Sequence, residues 1–251
     1  MPVLVLDVDL ADGVGAWFTG RDRTGSPPGV GAAGNLSHRR PHQPAVLART
    51  RAEVGRRTGR APATWHTMHQ VHGARVGVVD DTVPPGAELR GVDALVTRLT
   101  DRTLAVSVAD CVPVLLAGAT TVAAVHAGRR GVQTGVVTAA LDAMAGLGDD
   151  VAGIRAAIGP AIGGCCYEVP ADLHTEVVAE HPAADARTTW GTHALDLAAA
   201  VHTTLEKAGV GGVQRLATCT RCDPDARWFS HRADPTTGRQ FGLVVRERAT
   251  A

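Results

Sequence analysis

Short apolar runs with strand character are most frequent in the middle of this chain. Runs of this length, rich in Val, Leu and Ala and ended by turn residues, predict strands over 3–8, 64–70, 74–80, 104–108, 112–118 and 121–127. Apolar residues at helical spacing predict helices over 45–57, 132–145, 171–180 and 194–208. Two segments rich in Gly, Pro, Arg and Asp lack periodicity and predict long loops over 20–44 and 220–240.

The composition favours a soluble, cytoplasmic protein with one domain over residues 1–251. The chain is 45% hydrophobic, enough for a sizeable core. Lys plus Arg equal Asp plus Glu at 25 each, so a long-range field that attracts nucleic acids is not expected. The first residues include acidic groups instead of a positively charged secretory segment, and the apolar stretch 104–118 is shorter than the about 20 residues of a membrane helix. We expect neither nucleic acid nor membrane as a partner, and a monomer or small homo-oligomer.

Three segments each carry one ligand for a soft metal ion near the end of a predicted strand. These are HQVHG at 69–73, VADCVP at 108–113 and VHAGRRG at 125–131. If the segments converge, His72, Cys111 and His126 form a two-nitrogen, one-sulfur set, which catalytic zinc sites use while one coordination position stays open. Taken singly, each residue would more often be structural. His69 is a competing ligand, because HxxH in a strand points its two histidines to opposite faces.

Asp110 interrupts an apolar run beside Cys111, and its burial would be costly without a partner. The carboxylate could accept a hydrogen bond from a ligand histidine and fix its tautomer. The alternative is an ion pair with Arg129 or Arg130.

The other four cysteines form two local pairs, Cys165-Cys166 and Cys219-x-x-Cys222. A lone CxxC can be half of a zinc ribbon or a redox pair, but the chain has no second CxxC. We therefore interpret both pairs as ordinary packing thiols, reduced in the folded protein.

The segment FSHRADPTTGRQ at 229–240 gathers His231, Arg232 and Arg239 among turn residues. This composition is suited to holding a phosphate through charge-assisted hydrogen bonds. A solvated loop is the alternative interpretation.

Five motifs, taken in order, resemble the signatures of the YfiH-like family, also known as multicopper polyphenol oxidase or laccase-domain proteins. They are HQVHG, VADCVPVLL, AAVHAGRRG, IGPAIGGCCYEV and CTRCDPDARWFSHRADPTTGRQ, and NLS at 35–37 resembles the family's amino-terminal Asn-Leu segment. The resemblance implies an α+β fold with four αββα layers, in which a mixed sheet core is flanked by helices. One departure is that Arg129 stands where the family usually has tryptophan.

The resemblance also implies roles for individual residues. His72, Cys111 and His126 are the implied zinc ligands, and the resemblance places Asn35 among the substrate-binding residues. From the residues themselves we expect Asp110 to join the ligands as a catalytic residue, with Asp110 or Glu168 as the proton carrier in deamination. We also expect substrate contacts from Arg129, Glu168, His231, Arg232 and Arg239.

The activity implied by the resemblance is zinc-dependent phosphorolysis of adenosine, inosine or guanosine and methylthioadenosine, with possible deamination of adenosine. The partners are then a purine nucleoside and phosphate. One alternative is a copper-dependent polyphenol oxidase, although the 11 histidines include no His-x-His pair. Others are a hydrolase with Cys111 as nucleophile, and a non-catalytic, zinc-stabilised cell-wall quality-control factor in which His231 closes the metal site.

Overall fold

The computed structural model describes residues 3–22 and 34–248; part of the predicted loop 20–44 lies outside these residues. Within them, the strands of the first half are β1 (Val3–Asp7), β2 (Val14–Asp22), β3 (Thr67–His69), β4 (Val76–Val78), β5 (Glu88–Arg90), β6 (Ala94–Thr97) and β7 (Leu104–Val108). Those that follow are β8 (Val112–Ala117), β9 (Val122–Ala127), β10 (Arg155–Ile158), β11 (Asp185–Arg187), β12 (His193–Leu195), β13 (Gly212–Arg215) and β14 (Gln240–Arg246). The α-helices are α1 (Pro44–Thr58), α2 (Arg129–Gln133), α3 (Val136–Gly146), α4 (Ala171–Glu180) and α5 (Leu197–Lys207).

Two sheets form the centre of the fold. The smaller is antiparallel, with four strands in the order β1-β2-β14-β7. The larger is mixed, with six strands in the order β13-β10-β8-β9-β6-β4. Its outer pairs β4/β6 and β10/β13 are parallel, while the inner pairs are antiparallel. Two short ribbons, β3/β5 and β11/β12, lie outside these sheets.

The layers follow from which apolar faces bury one another. Phe18 and Val106 of the smaller sheet share a core with Leu115 and Ala124 of the larger sheet. The opposite face of the larger sheet packs against α3 and α5, and the outer face of the smaller sheet packs against α1. The predicted four-layer α+β architecture is therefore confirmed.

Two predicted helices differ from the structure in their bounds. The predicted helix 132–145 is divided into α2 and α3, because Gly135 adopts the left-handed region with φ of 80°. The predicted helix 194–208 begins at Leu197, since the Asp196 carboxylate caps it by accepting the N–H of Ala199 at 2.9 Å. No helix in residues 3–22 and 34–248 is long and apolar enough to cross a membrane.

Candidate active site

The three predicted ligands converge from different elements. His72 lies in the bend after β3, Cys111 directly precedes β8, and His126 belongs to β9. Their ligand atoms all lie within 4.8 Å of one another, and Cys111 Sγ is 3.8 Å from His72 Nε2. A tetrahedral ion with bonds of about 2.3 Å to sulfur and about 2.0 Å to nitrogen separates these atoms by about 3.6 Å. The group is therefore close to the geometry that one metal ion requires.

Asp93, directly before β6, organises both histidines. Its carboxylate is fully buried and accepts the backbone N–H groups of Val71, His72 and Gly73, at 2.9 Å for His72 and 2.8 Å for Gly73. Three successive amides around one anion form a nest, which holds His72 in the left-handed region with φ of 61°. The same carboxylate is 2.8 Å from Nδ1 of His126.

The hydrogen bond to Asp93 selects the tautomer of His126. The pKa of Asp93 is lowered: burial acts to raise it, but the hydrogen bonds from His126 and from the backbone outweigh burial. An ionised carboxylate only accepts hydrogen bonds, so Nδ1 of His126 carries a proton and Nε2 is free to bind a metal ion.

The pKa values of Cys111 and His126 are both shifted in the direction that favours the charged form. Burial acts to raise the pKa of Cys111, yet His126 and His72 together lower this pKa to about 6. Burial likewise acts to lower the pKa of His126, but the Cys111 thiolate and Asp93 raise it to about 9. The site thus favours a Cys111 thiolate with a positive charge beside it. A metal ion can supply that charge in place of the proton on Nε2 of His126.

Gly128 leaves room at the centre of the group. A Cβ at this position would lie 2.7 Å from Cδ2 of His72, 3.2 Å from Sγ of Cys111 and 3.5 Å from Cε1 of His126. The three side chains therefore surround a space that any residue other than glycine would fill. Together with the donor set, this space shows that the site fits a single soft divalent ion.

The three ligands line a cleft with a volume of about 360 Å³, which is in the range of small-molecule sites. Residues from several other segments of the chain complete its walls. They are Ser37, His38, Arg39, Arg40, Arg51, Thr67, Met68, His69, Gln70, Glu88, Ser107, Val108, Ala109, His231, Arg239 and Phe241.

Arg40 and Arg239 give one wall of the cleft a positive charge. Among the described residues, their side chains bond to backbone carbonyls of Pro235, Thr237 and Gly238, which carry no net charge. Burial, followed by the neighbouring charge of Arg40, lowers the pKa of Arg239 to about 10. Two adjacent guanidinium groups whose acceptors are neutral are suited to binding an anion.

Comparison with known proteins shows which family the chain belongs to. The family described as multi-copper polyphenol oxidoreductase laccase matches residues 15–247. The chain belongs to this laccase family.

Two relatives and one solved structure agree with the resemblance to the YfiH-like family. A purine nucleoside phosphorylase of Streptomyces coelicolor is 46% identical over 237 residues, which cover 92% of this chain and 95% of that protein. An adenosine deaminase from an unknown prokaryotic organism is 34% identical over 198 residues, 71% of this chain and 73% of that protein. The crystal structure of the hypothetical protein YfiH from Bacillus licheniformis has a TM-score of 0.86 at 26% identity, over 98% of this chain and 97% of that one.

In this member of the laccase family, Asp110 has partners other than those predicted. Its carboxylate accepts Thr220 Oγ1 at 2.6 Å and the Arg232 N–H at 2.7 Å. The predicted bond to a ligand histidine is wrong, since Asp93 occupies that role, and the alternative ion pair with Arg129 or Arg130 is also wrong. The physical reason is a left-handed turn: with φ of 92°, Asp110 directs its carboxylate to the 220–232 loop while the next residue, Cys111, joins the histidines.

His69 and His72 line the same cleft of this laccase-family protein. The prediction that they point to opposite faces is wrong, because β3 ends at His69 and His72 lies in the bend beyond it. His72, and not His69, is in the group with Cys111 and His126.

The other predicted substrate-binding residues lie beside the cleft or form part of its support. Asn35 accepts the backbone N–H groups of Ser37 and Arg239, and so fixes the positions of two lining residues. Arg232 donates to the Glu168 carbonyl at 2.8 Å, and its guanidinium lies 5.1 Å from the Tyr167 ring centroid.

Arg129, at the position of the family tryptophan, donates to Gln133 at 2.7 Å. The carboxylate of Glu168 accepts the indole N–H of Trp190 at 3.2 Å. The lining of the described cleft does not include Arg129, Glu168 or Arg232, so their contact with a substrate stays a prediction.

The two cysteine pairs, which their sequence positions present as separate, meet in space. The Sγ atoms of Cys165, Cys166, Cys219 and Cys222 all lie within 4.8 Å of one another. The two pairs therefore form one group of four free thiols, which the sequence analysis did not predict.

Proposed function

We propose that this protein is a zinc-dependent purine nucleoside phosphorylase. The observation that carries the proposal is the convergence of His72, Cys111 and His126 in a cleft that also contains Arg40 and Arg239. The ligand set suits a catalytic ion, and the two arginines suit an anionic second substrate. The relative from Streptomyces coelicolor, named a purine nucleoside phosphorylase, supports the same conclusion.

The reaction transfers a glycosyl group from a purine to phosphate. An oxygen of phosphate forms a bond to C1′ of the sugar, and the bond from C1′ to the purine nitrogen breaks. The purine leaves with the bonding electron pair and takes up a proton, so that the products are the free base and a sugar 1-phosphate. Zinc held by the three ligands would supply Lewis acidity with one coordination position open.

The side chains of the cleft divide the remaining tasks. Arg239 and Arg40 neutralise the phosphate and hold it in the cleft. His231 lines the same cleft and can donate the proton that the departing purine needs. Both carboxylate oxygens of Asp110 already accept hydrogen bonds from the 220–232 loop. We therefore assign Asp110 the task of holding the neighbouring Cys111 in place.

Deamination of adenosine is a second candidate activity, favoured by the relative named an adenosine deaminase. Water would add to C6 of the purine and ammonia would leave, a reaction for which zinc deaminases use histidine and cysteine ligands with a carboxylate as proton carrier. Among the described residues that line the cleft, Glu88 is the carboxylate, and it is paired with Arg39 and His38.

The copper oxidase alternative is addressed by the number of ligand groups. Among residues 3–22 and 34–248, there are two groups in which three or more potential metal ligands converge. Of these two groups, the one formed by His72, Cys111 and His126 contains histidine. A single set of two histidines and one cysteine suits one ion, and copper can bind it in place of zinc because of its higher general affinity.

Turnover of nucleosides by zinc-loaded protein would also separate the phosphorylase from a non-catalytic, zinc-stabilised factor.

Substitution of His72 tests the proposed activity. Adenosine, inosine and methylthioadenosine are incubated with zinc-loaded protein, with and without phosphate, and the products are separated by chromatography. We expect phosphate-dependent release of free base, reduced by about 100-fold in His72→Gln because a metal ligand is lost. The partly exposed His202 on α5 gives the matched control His202→Gln, which should keep full activity.

Three outcomes of this experiment have distinct meanings. Inosine formed from adenosine without phosphate would establish deamination. Equal activity of the His72→Gln variant and the wild type would overturn the assigned metal site. Absence of turnover for all three nucleosides would overturn the enzyme assignment for purines.

Substitution of Arg239 tests the phosphate site. We expect Arg239→Gln to raise the KM for phosphate by about 10-fold or more, because a charge-assisted hydrogen bond contributes about 1.5–3 kcal/mol. The KM for the nucleoside should change much less. Arg56→Gln on α1 is the control, since that side chain is 73% exposed. A parallel rise of both KM values would indicate general damage to the cleft and contradict the assignment.

A further inference from the structure

A second group of potential ligands lies outside the candidate active site. Cys165 and Cys166 belong to the turn after β10, and Cys219 and Cys222 belong to the loop after β13. Their four sulfur atoms lie within 4.8 Å of one another, and the Sγ atoms of Cys165 and Cys222 are 3.6 Å apart. A parallel bridge between Ala161 and Cys219 brings the two segments together.

The separation of the sulfur atoms distinguishes between the possible uses of four cysteines. A tetrahedral ion with bonds of about 2.3 Å to sulfur places its ligands about 3.8 Å apart, close to the 3.6 Å between Cys165 and Cys222. A disulfide needs about 2.0 Å between its sulfur atoms and joins only two of them. An iron–sulfur cluster places several irons and sulfides between its cysteines, so it needs a wider arrangement than this one. A single ion fits best.

The backbone around the sulfur atoms is shaped for such an ion. Gly163 donates its N–H to Sγ of Cys219 at 3.3 Å, a bond that stabilises a thiolate. A Cβ on Gly163 would lie 3.2 Å from Sγ of Cys165 and 3.8 Å from Sγ of Cys219. The main chain thus approaches the group closely. Cys222 is exposed, which gives an ion access from solvent, while Cys166 is buried.

We propose that Cys165, Cys166, Cys219 and Cys222 bind one thiophilic divalent cation, with zinc as the expected ion, at a site separate from His72, Cys111 and His126. Four thiolates satisfy a tetrahedral zinc ion completely, so this site is structural and has no open position for a substrate. The assignment of this second site does not rest on the proposed nucleoside chemistry.

The position of the site indicates what the ion stabilises. Thr220, between Cys219 and Cys222, donates to the Asp110 carboxylate at 2.6 Å. Ile162, in the turn that leads to Cys165, donates its N–H to the Asp110 carbonyl at 2.9 Å. An ion that joins the two segments therefore holds two of the groups that fix Asp110, the residue before the ligand Cys111.

Metal analysis of three variants tests the proposal. Protein purified in zinc is measured by native mass spectrometry and elemental analysis. We expect two zinc ions per chain in the wild type, one in Cys222→Ser, one in His72→Gln and none in the double variant. Cys222 is chosen because it is exposed, so that serine should leave the fold intact, which circular dichroism checks. Cys165→Ser is a further variant of the same cysteine group and should also lose one zinc ion.

Cobalt substitution assigns the ion to its ligands. In the His72→Gln background, cobalt bound to four thiolates should give strong sulfur-to-metal charge-transfer absorption, which Cys222→Ser should abolish. Equal zinc content in the wild type and in Cys222→Ser would overturn the proposal. So would a disulfide between these cysteines in protein isolated without reductant. The zinc content and the cobalt spectrum are measured without nucleoside turnover. Absence of turnover would therefore contradict the proposed function and leave the proposed four-cysteine site untouched.

Discussion

Replacement of Asp93 by asparagine is expected to weaken both the fold and the metal site. The carboxylate accepts three backbone N–H groups and Nδ1 of His126 in a fully buried position. Asparagine has the same shape but directs an N–H₂ group at donors and removes the charge that balances them. We expect the free energy of unfolding to fall by about 3 kcal/mol. Zinc affinity should fall by about 10–100-fold, because one ligand loses its orienting partner and His72 loses the nest that holds its backbone.

Denaturant unfolding and competition with a chelator measure the two effects of Asp93→Asn separately. Asp149 offers a matched control, since it is also buried and its carboxylate accepts bonds from Thr120 and Thr121. Asp149→Asn should lower stability in a similar way but leave zinc affinity unchanged. Equal losses of affinity in both variants would show that Asp93 acts only through general stability.

The substitution Gly128→Ala is expected to abolish metal binding at His72, Cys111 and His126 without unfolding the protein. The backbone at Gly128 has φ of −75° and ψ of 166°, which alanine adopts freely. The added methyl group would, however, lie 2.7 Å from the His72 ring and 3.2 Å from Sγ of Cys111. At least one ligand must then move out of place. We expect loss of one zinc ion per chain and a fall in nucleoside turnover of about 100-fold.

The control for this substitution is Gly146→Ala in α3, where a Cβ meets no atom within 4 Å. That variant should bind zinc normally and gain about 0.5–1 kcal/mol of stability from the helix preference of alanine. Normal zinc content in Gly128→Ala, measured by elemental analysis, would contradict the close approach at this position.

The strands that were predictable from the sequence are those with the simplest burial. Strands β8 and β9 are buried at every position because sheet and helices cover both faces, so they read as continuous apolar runs. Strands β2 and β14, which contain glycines and charged residues, were not predicted, nor were β6 and β10, which have only four residues each. Their assignment depends on pairing with distant strands, which local periodicity does not contain.

The candidate site was predictable in its ligands but not in its supports. The soft-metal ligand set and the resemblance both selected His72, Cys111 and His126, whereas Asp93 was overlooked, although it interrupts an apolar segment just as Asp110 does. An acidic residue within an apolar segment is therefore a feature of both Asp93 and Asp110. Only the tertiary structure shows that Asp93, and not Asp110, bonds to a ligand histidine. The cysteine group was missed for a related reason: the spacing within each pair is local, but convergence of the two pairs results from the bridge between Ala161 and Cys219.

The arginines of the cleft have a kinetic consequence that the neutral composition conceals. Lys plus Arg and Asp plus Glu cancel at 25 each, yet Arg39, Arg40, Arg51 and Arg239 line one cleft with a single carboxylate among its described lining residues, that of Glu88. At physiological ionic strength such a field extends about 8 Å into solvent. The arginines therefore attract an anion only near the mouth of the cleft. The association rate of the anion should fall with added salt, while that of an uncharged nucleoside should not. In the proposed reaction, the association rate of phosphate relative to that of the nucleoside should therefore decrease as ionic strength rises.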